Sequence, residues 1–510
     1  MIKAQNYLAG LSYSIAFNIL SKGLLFFTNL LIAYFFGASS VTDLYFYLFS
    51  IILMVANFII GINGSVIIPE SRRLEHRLGR AATFGFINTT FYFLFVGLVI
   101  ICIVLLCFPI EILSLISKFD REVLIRNKSL IQLATLLFLV QIIVSFFNDL
   151  LVYYRYFILP SVITSLNGLL TVIIVLLFHS AIGMKSVLIA SIIAYLISFA
   201  VQIFILLRYE HWHFFVVSRK IERHTFFNAL YSISSISVSI MVAFIPLYFL
   251  STYAAGAITQ LILAQRISEI PNTLLAIQFV TIIGVQFTEK YIKSDLDDFN
   301  RSFIRAANVL YFILIPISVT VFFLSDEIVA VLLEHGAIEN HASKIDDVLA
   351  ILMIGVPFTG INYLTSKALV AAQKIKASFY FNLILSLINI VLSFVGISLA
   401  AQTGYAWAIS VYGITYFLLS FFLLRWTLPF VHYNIVIKSF FLFLCLSVTL
   451  MFLTVQLYAV LAPDDFAVLK IGIAGSLHIF LILTLNHFFG INNDVRDFII
   501  NIFKRATGKL

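Results

Sequence analysis

Three basic residues lie inside stretches that are otherwise apolar enough to cross a bilayer, namely Lys22, Arg266 and Lys367. A charge at such depth costs at least about 2.5–3.5 kcal/mol on insertion scales, so it usually marks the path of an ion or a substrate. The chemistry open to a buried cation is attraction of an anion and charge-assisted hydrogen bonding to it. The three positions therefore predict a transport site for an anionic group.

Lys22 has polar neighbours at helical spacing. Ser21 and Thr28 are seven residues apart, as are Lys22 and Asn29, so the four side chains are expected on one helix face that lines water. The alternative is that Lys22 extends to the membrane interface. It stands about twelve residues from either predicted helix end, roughly 18 Å at 1.5 Å per residue, which exceeds the reach of a lysine. The spacing favours a role in the transport path.

Arg266 precedes Glu269 by three residues, which places both on one helix face and allows them to pair. One interpretation is a structural ion pair. The other is a cation held for an anionic substrate, with Glu269 limiting its affinity. Pro271 follows and is expected to kink or break the helix. Lys367 lies only a turn or two from the predicted helix end, so extension to the interface and a pore role both remain open.

The elements that position these residues are fourteen predicted helices in a chain that is 62% hydrophobic and 11% charged, with a mean hydropathy of +1.07. A spanning helix needs about 20 mostly apolar residues. Continuous runs of this length exclude a β-barrel, the other architecture that satisfies backbone groups in lipid. The sequence predicts an all-α polytopic membrane protein, with helices at 10–36, 41–69, 81–108, 129–154, 158–180, 184–207, 226–250, 256–287, 303–325, 346–372, 377–400, 402–424, 435–461 and 468–489.

Basic residues are distributed unevenly between alternate connections. Of the 32 lysines and arginines, 22 fall in the set that shares a side with the N-terminus and 7 in the opposite set. The positive-inside rule then predicts that both termini are cytoplasmic. No small-residue cleavage site follows the segment 10–36 at the distance typical of a signal peptide. The segment is therefore expected to be retained as the first helix.

A weak internal repeat relates two helix pairs. Gly37 and Glu70 are 33 residues apart, as are Gly256 and Glu289, and each pair ends in a basic connection. Parallel repeats of this kind predict two six-helix bundles related by a pseudo-two-fold axis along the membrane normal, with the substrate site between them. The expected division is 1–208, 209–425, and two further helices with a tail in 426–510. Asp43, after the first turn, is expected to act as an acid at the start of its own helix or as a ligand.

Several function classes lack their sequence signals. There is no glycine-rich phosphate loop followed by Lys-Ser/Thr, so no ATP-driven motor is predicted. No His, Cys and Asp cluster has metal-ligand spacing, and the three cysteines all lie in apolar stretches. The net charge of +8 comes without a long basic tract, which argues against nucleic acid. We expect neither an enzyme, nor a metal site, nor a cofactor.

The motifs resemble those of the MurJ/MviN lipid II flippases, a branch of the multidrug/oligosaccharidyl-lipid/polysaccharide exporter superfamily. Phe36–Asp43 is similar to that family's Phe-Gly-Ala turn followed by Thr-Asp, Ala264–Pro271 to its Ala-x-Arg-x-x-x-x-Pro segment, and Lys367–Gln373 to the motif that ends its tenth helix. Fourteen helices is also the family's number. The resemblance implies that the central cations fall on Lys22, Arg266 and Lys367, and that the last two helices shape a groove for a lipid tail.

The resemblance implies a flippase that moves a polyprenyl-diphosphate-linked glycan precursor, lipid II or a similar molecule, across the bacterial inner membrane by alternating access. Partners are then the lipid-linked oligosaccharide and membrane lipids, with the protein active as a monomer. The sequence departs from the family at Thr28, where a second arginine is usual, and at Ala56 and Asn57, where a basic pair is usual. Flipping of an O-antigen or exopolysaccharide repeat unit and ion-coupled drug export stay open as alternatives.

Overall fold

The computed structural model describes residues 7–217, 240–461 and 466–490, together with 237–238, 492 and 495–496, and within them no residue is in a β-strand. The helices are α1 Tyr7–Phe36, α2 Ser40–Ile62, α3 Ile68–Leu78, α4 Arg80–Cys107, α5 Pro109–Ile116, α6 Arg121–Arg126, α7 Lys128–Tyr153, α8 Ile158–Ile182, α9 Lys185–Tyr209, α10 Ile240–Leu250, α11 Ala257–Ser268, α12 Ile277–Ile292, α13 Leu296–Phe323, α14 Ser325–Leu333, α15 Ala342–Ala371, α16 Ile375–Thr427, α17 Tyr433–Leu461 and α18 Ala467–Phe489. The predicted all-α class is confirmed.

Eleven of the described helices are long and apolar enough to cross a membrane, or twelve when the bent pair formed by α11 and Asn272–Ile292 counts as one span. The number fourteen stays a prediction. Most of the helix expected at 226–250 lies outside the described residues, and only Ile240–Leu250 can be compared with it.

The 53-residue helix α16 is a helical hairpin. Ala400 and Ala401 have non-helical dihedral angles, with φ of −149° and 46°. Gly396 and Gly404 would lie about 12 Å apart in a straight helix, yet a Cβ atom on either would overlap the backbone carbonyl of the other. The chain therefore reverses direction at 400–401, the boundary expected between the helices at 377–400 and 402–424. Glycine is required here because the two backbones touch.

The second predicted helix is longer than expected. It was placed at 41–69, but helical structure continues through a π-helical turn at Asn63–Ile67 and through α3 to Leu78. Pairs three residues apart, Arg73 with Glu70 and Arg72 with Glu75, lie along this polar extension. Ion pairs at this spacing stabilise a helical turn that has no apolar face. Because the prediction used hydropathy alone, it ended the helix too early, at residue 69.

The described chain divides into two compact units. One comprises residues 1–259 with 336–338, and the other comprises 260–335 with 339–510. In the first unit α1 packs along α8, where Leu24 closes over Gly168. In the second unit an aromatic cluster joins helices α12, α13, α16 and α17, including Phe287, Phe299, Phe303, Phe417 and Phe440. The expected three-part division at 208 and 425 stays a prediction.

Candidate functional site

The Arg266 guanidinium is only partly satisfied by its neighbours. Its Nη1 lies 3.8 Å from Glu269 Oε2, a long contact between side chains that are 27% and 55% exposed. Its Nε is buried and has no hydrogen-bond partner among the described residues. Arginine presents five N–H donors in a rigid fork. An N–H group without a partner, beside a weak ion pair, can donate a hydrogen bond to an anionic ligand.

The chain turns sharply after Arg266. The predicted break at Pro271 is present, as a 42° bend between α11 and Asn272–Ile292. A π-helical turn begins at Asn272, whose Nδ2 donates to Thr359 Oγ1 at 2.6 Å while its Oδ1 has no described partner. A π-turn and a proline both interrupt the regular hydrogen-bond ladder, so the bend has two local causes.

Lys367 on α15 is exposed and forms no ion pair within the described part of the chain. Its aliphatic stem passes Gly284 of α12, where a Cβ atom would come 3.6 Å from Lys367 Cδ. The glycine leaves space for the stem, and the ammonium group stays free for a ligand or for solvent.

The polar residues of α1 do not all share one environment. Lys22 is exposed, whereas Ser21, Thr28 and Asn29 are buried. The hydroxyls of Ser21 and Thr28 donate to carbonyls of their own helix, at Asn18 and Leu24, 3.0 and 2.9 Å away. The common water-lining face expected from the spacing is thus divided, since Lys22 and Asn29 lie on the same side of α1 but only Lys22 is exposed.

Asn29 differs from the two hydroxyl residues. It is 5% exposed, and its Nδ2 has no partner within the described ranges. The buried unpartnered side-chain atoms in those ranges are otherwise oxygens, apart from the Nε of Arg266. Two buried nitrogen donors are therefore left over among the described residues, one in each compact unit, and both belong to residues that the sequence singled out. The hydroxyls of Ser71, Ser318 and Thr365, which can donate as well as accept, are also buried without a described partner. Hydrogen-bond donors are what a phosphate or a glycan oxygen needs.

Asp43 caps a helix other than its own. Its carboxylate accepts hydrogen bonds from the backbone N–H of Gly256 and Thr259 and from the Thr259 hydroxyl, at 2.7, 2.8 and 2.6 Å. The start of α2 is capped instead by Ser39 and Thr42, which form a reciprocal capping box. Asp43 lies in the first turn of α2, as expected, but its carboxylate hydrogen-bonds to the N-terminus of α11 and complements the dipole of that helix.

Glycines with left-handed backbones surround this cap. Gly37, Gly256 and Gly336 have φ of 63°, 96° and 73°. A Cβ atom on Gly37 would overlap the Ala337 carbonyl, and one on Gly256 would approach Ala38 Cβ to 2.9 Å. Gly37 and Gly256 are the equivalent positions of the predicted repeat. Gly37 directly follows α1, whereas Gly256 directly precedes α11. The two turns share a positive φ and a close backbone approach, a combination that only glycine tolerates.

The partner of Asp43, Thr259, could not be predicted from the sequence. Its contact with Asp43 spans 216 positions of the chain. A Gly-x-x-Thr segment at a predicted helix start signals ordinary capping, and nothing local identifies a distant carboxylate as its partner.

Residues 32–471 match the family model described as "Lipid II flippase MurJ". The chain belongs to the MurJ family. A relative from Borreliella burgdorferi, described as a probable lipid II flippase MurJ, is 24% identical over 385 residues that cover 74% of this chain and 76% of the relative. One from Aquifex aeolicus with the same description is 28% identical over 350 residues, covering 65% and 66%.

Solved structures show the same fold. A lipid II flippase MurJ in an inward closed conformation superposes with a TM-score of 0.78 at 22% identity, covering 94% of this chain and all of that one. An inward-facing multidrug resistance transporter of the MATE family gives 0.66 at 11% identity, covering 85% and 99%. The fold of this MurJ family member is thus shared with transporters of the wider superfamily.

The three positions that depart from the family pattern differ in their exposure to solvent. Thr28 is buried with its hydroxyl bound to the Leu24 carbonyl, Ala56 is buried, and Asn57 is exposed. Within the described residues no group of three or more His, Cys, Asp or Glu side chains could hold a metal ion.

Proposed function

We propose that this protein moves a polyprenyl-diphosphate-linked glycan precursor, a lipid II-like molecule, from the cytoplasmic to the outer face of the bacterial inner membrane. Membership of the MurJ family supports the transport class. The observation that carries the cargo's chemistry is the unpartnered, buried Nε of Arg266. A diphosphate supplies the multiple anionic oxygens that such a guanidinium binds best.

The residues divide the work by chemistry. Arg266 binds a phosphate oxygen directionally, while Lys22 and Lys367 act as mobile point charges that attract the diphosphate. Asn29 donates to a glycan or phosphate oxygen. The buried Thr28 contributes shape and no charge. Glu269 shares the guanidinium with the cargo and so keeps the complex weak enough to release.

Gly37, Asp43 and Pro271 serve the conformational cycle of alternating access. The carboxylate cap on α11 is a set of directional contacts that can form and break as a unit, and the bend at Pro271 is a place where the helix can flex. Exchange of Asp43 for Asn removes the negative charge, and we expect faster labelling of cysteines placed near Gly256. Unchanged labelling would exclude Asp43 from the gate.

Lipid II-type cargo is favoured over the alternatives. The matched family and both curated relatives carry lipid II in their descriptions. The MATE transporters are more distant, at 11–13% identity. The positions at Thr28, Ala56 and Asn57 leave the chain less basic than the family pattern, which is the one feature that favours a different repeat unit.

The decisive experiment is transport by the purified protein in proteoliposomes. We expect flipping of fluorescent lipid II without ATP, accelerated by a potential that drives anions outward, since about 2.3 kcal/mol is available per charge per 100 mV. A polyprenyl-diphosphate-linked O-antigen unit is the matched alternative cargo. Faster flipping of that unit, or no lipid II flipping by well-folded protein, would reject the proposal.

Complementation gives an independent test of the cargo. We expect the native chain to replace a depleted lipid II flippase. Rescue only by a Thr28→Arg variant would mean that the missing arginine decides cargo choice.

The proposal includes cytoplasmic termini, action as a monomer and no covalent catalysis. The charge bias of 22 to 7 between alternate connections supports the orientation. The variants Lys185→Cys and Lys376→Cys test this orientation. In intact cells a membrane-impermeant thiol reagent should label the cysteine at position 185 and not the one at position 376.

A further inference from the structure

A groove opens at the base of the α16 hairpin, where the two ends of that helix meet. Its volume is about 960 Å³, and the residues that line it include Lys374, Lys376, Ala377, Tyr380, Ile384, Leu423 and Trp426. None of the proposed transport residues lines it. The groove is therefore a feature of the second compact unit that the transport function does not use.

The walls of the groove are apolar and aromatic. Trp426 is 81% exposed and Tyr380 63%, and Ile384 is also exposed. Tryptophan and tyrosine concentrate at the level of lipid headgroups, where one end of each ring is apolar and the other is wet. The walls can therefore contact a hydrocarbon chain along their apolar part and a polar group beside the wet edges of the rings.

Positive charge lies at one end of the groove. Lys374 and Lys376 are exposed, and neither has an ion-pair partner in the described part of the protein. No Asp or Glu is among the groove's described lining residues. The left-handed Gln373, with φ of 56°, turns the chain so that α16 begins inside the groove, and the helix start has no side-chain cap. The partial positive charge of an uncapped helix start adds to that of the lysines.

We propose that this groove binds an anionic phospholipid of the surrounding bilayer, with its phosphate on Lys374 and Lys376 and an acyl chain along Ile384, Leu423 and Trp426. The charge complementarity and the exposed aromatic walls favour a bilayer lipid over the glycan cargo, because the groove is open to its surroundings. Basic pockets at the cytoplasmic ends of membrane helices recognise anionic headgroups in this way. The lipid holds the two ends of the α16 hairpin together.

The test uses the full chain in neutral detergent, titrated with brominated phosphatidylglycerol or brominated phosphatidylcholine. Bromine quenches a nearby tryptophan, and the difference between the native protein and Trp426→Phe isolates the signal of Trp426. We expect saturable quenching at a concentration of phosphatidylglycerol roughly twenty-five-fold lower than that of phosphatidylcholine, since each of the two lysines near the headgroup contributes on the order of five-fold.

The variant Lys374→Gln/Lys376→Gln should lose most of this preference. Lys293→Gln/Lys438→Gln is the matched control, because both lysines are exposed, fall in the same charge-rich set and lie outside the groove. Equal loss in both double variants would overturn the proposal in favour of general surface charge. A second variant, Ala377→Leu, narrows the groove without changing charge and should weaken both lipids.

Two competition arms distinguish the source of the phosphate. Inorganic phosphate should not displace the brominated lipid, and displacement would show that the acyl chain plays no part. Stronger displacement by a polyprenyl diphosphate than by unlabelled phosphatidylglycerol would assign the groove to the cargo and would also overturn the proposal. None of these outcomes depends on lipid II flipping, so the groove and the transport function can fail separately.

Discussion

The segments around Lys22 and Arg266 hold their charges in different ways. Lys22 lies in an uninterrupted helix, is exposed, and has no ion-pair partner among described residues, while the unpartnered donor of that helix belongs to Asn29. Arg266 carries both the charge and the unpartnered donor, and it stands beside Glu269 and the bend at Pro271. One segment separates attraction from hydrogen bonding, whereas the other combines them in a single side chain.

Under the proposed function, the difference predicts which segment binds the cargo and which attracts it. A lysine on a flexible stem offers a charge without a fixed direction, and an arginine offers a fixed fork. Substitutions at Arg266 should therefore affect the bound state of the cargo most, and those at Lys22 should affect its capture.

Arg266→Ala should reduce flipping by about ten- to a hundred-fold, because a charge-assisted hydrogen bond contributes about 1.5–3 kcal/mol. Thermal stability in detergent should change little, since the pair with Glu269 is long and half exposed. Arg266→Lys should recover part of the activity. Arg301→Ala, which removes an exposed arginine, is the control. Full activity of stably inserted Arg266→Ala would end the assignment of binding to this segment.

Asn29→Leu should reduce flipping about five-fold, the contribution of one neutral hydrogen bond of about 1 kcal/mol. The same change should leave stability equal or higher, because it removes a buried polar group without a described partner. Gln141→Leu is the matched control, since its unpartnered atom is an acceptor oxygen. It should also preserve stability, but without affecting transport. A parallel loss of activity in both variants would point to packing instead.

Lys22→Gln should raise the cargo concentration for half-maximal flipping about two- to three-fold with little change in the maximal rate, as expected for an exposed point charge. The effect should shrink at high salt, which screens exposed charges. Lys22→Arg should keep native behaviour or improve capture. An effect confined to the maximal rate, and insensitive to salt, would show that Lys22 binds in the same manner as Arg266.

Glu269→Gln should have the smallest effect, a rise in cargo affinity of about two-fold with slower release. The carboxylate shares the guanidinium at 3.8 Å and is 55% exposed, so its removal frees little binding energy. Direct binding measured beside flipping separates affinity from turnover. A fall in affinity would mean that Glu269 orients Arg266 and does not compete with the cargo.

Comparison of sequence and structure shows how far local signals extend. The long apolar runs predicted the helical class and the boundary near 400, and the proline predicted the bend at Pro271, since each depends on residues within a few turns. The apolar runs did not show which face of α1 is buried. A membrane helix is apolar all round, so its sequence carries no amphipathic stripe to distinguish Thr28 and Asn29 from Lys22.

The sequence by itself predicted the long apolar helices, the positions of Lys22, Arg266 and Lys367 within them, and the glycines at the turns, because hydropathy, charge and backbone freedom act locally. Only the tertiary structure decided that Asp43 caps α11, that buried donors remain unpartnered at Asn29 and Arg266, and that a basic groove opens at the base of α16. Those features depend on which distant segments meet. Hydrogen-bond satisfaction and cavity shape are properties of neighbours in space, and a single sequence specifies such neighbours only through the fold.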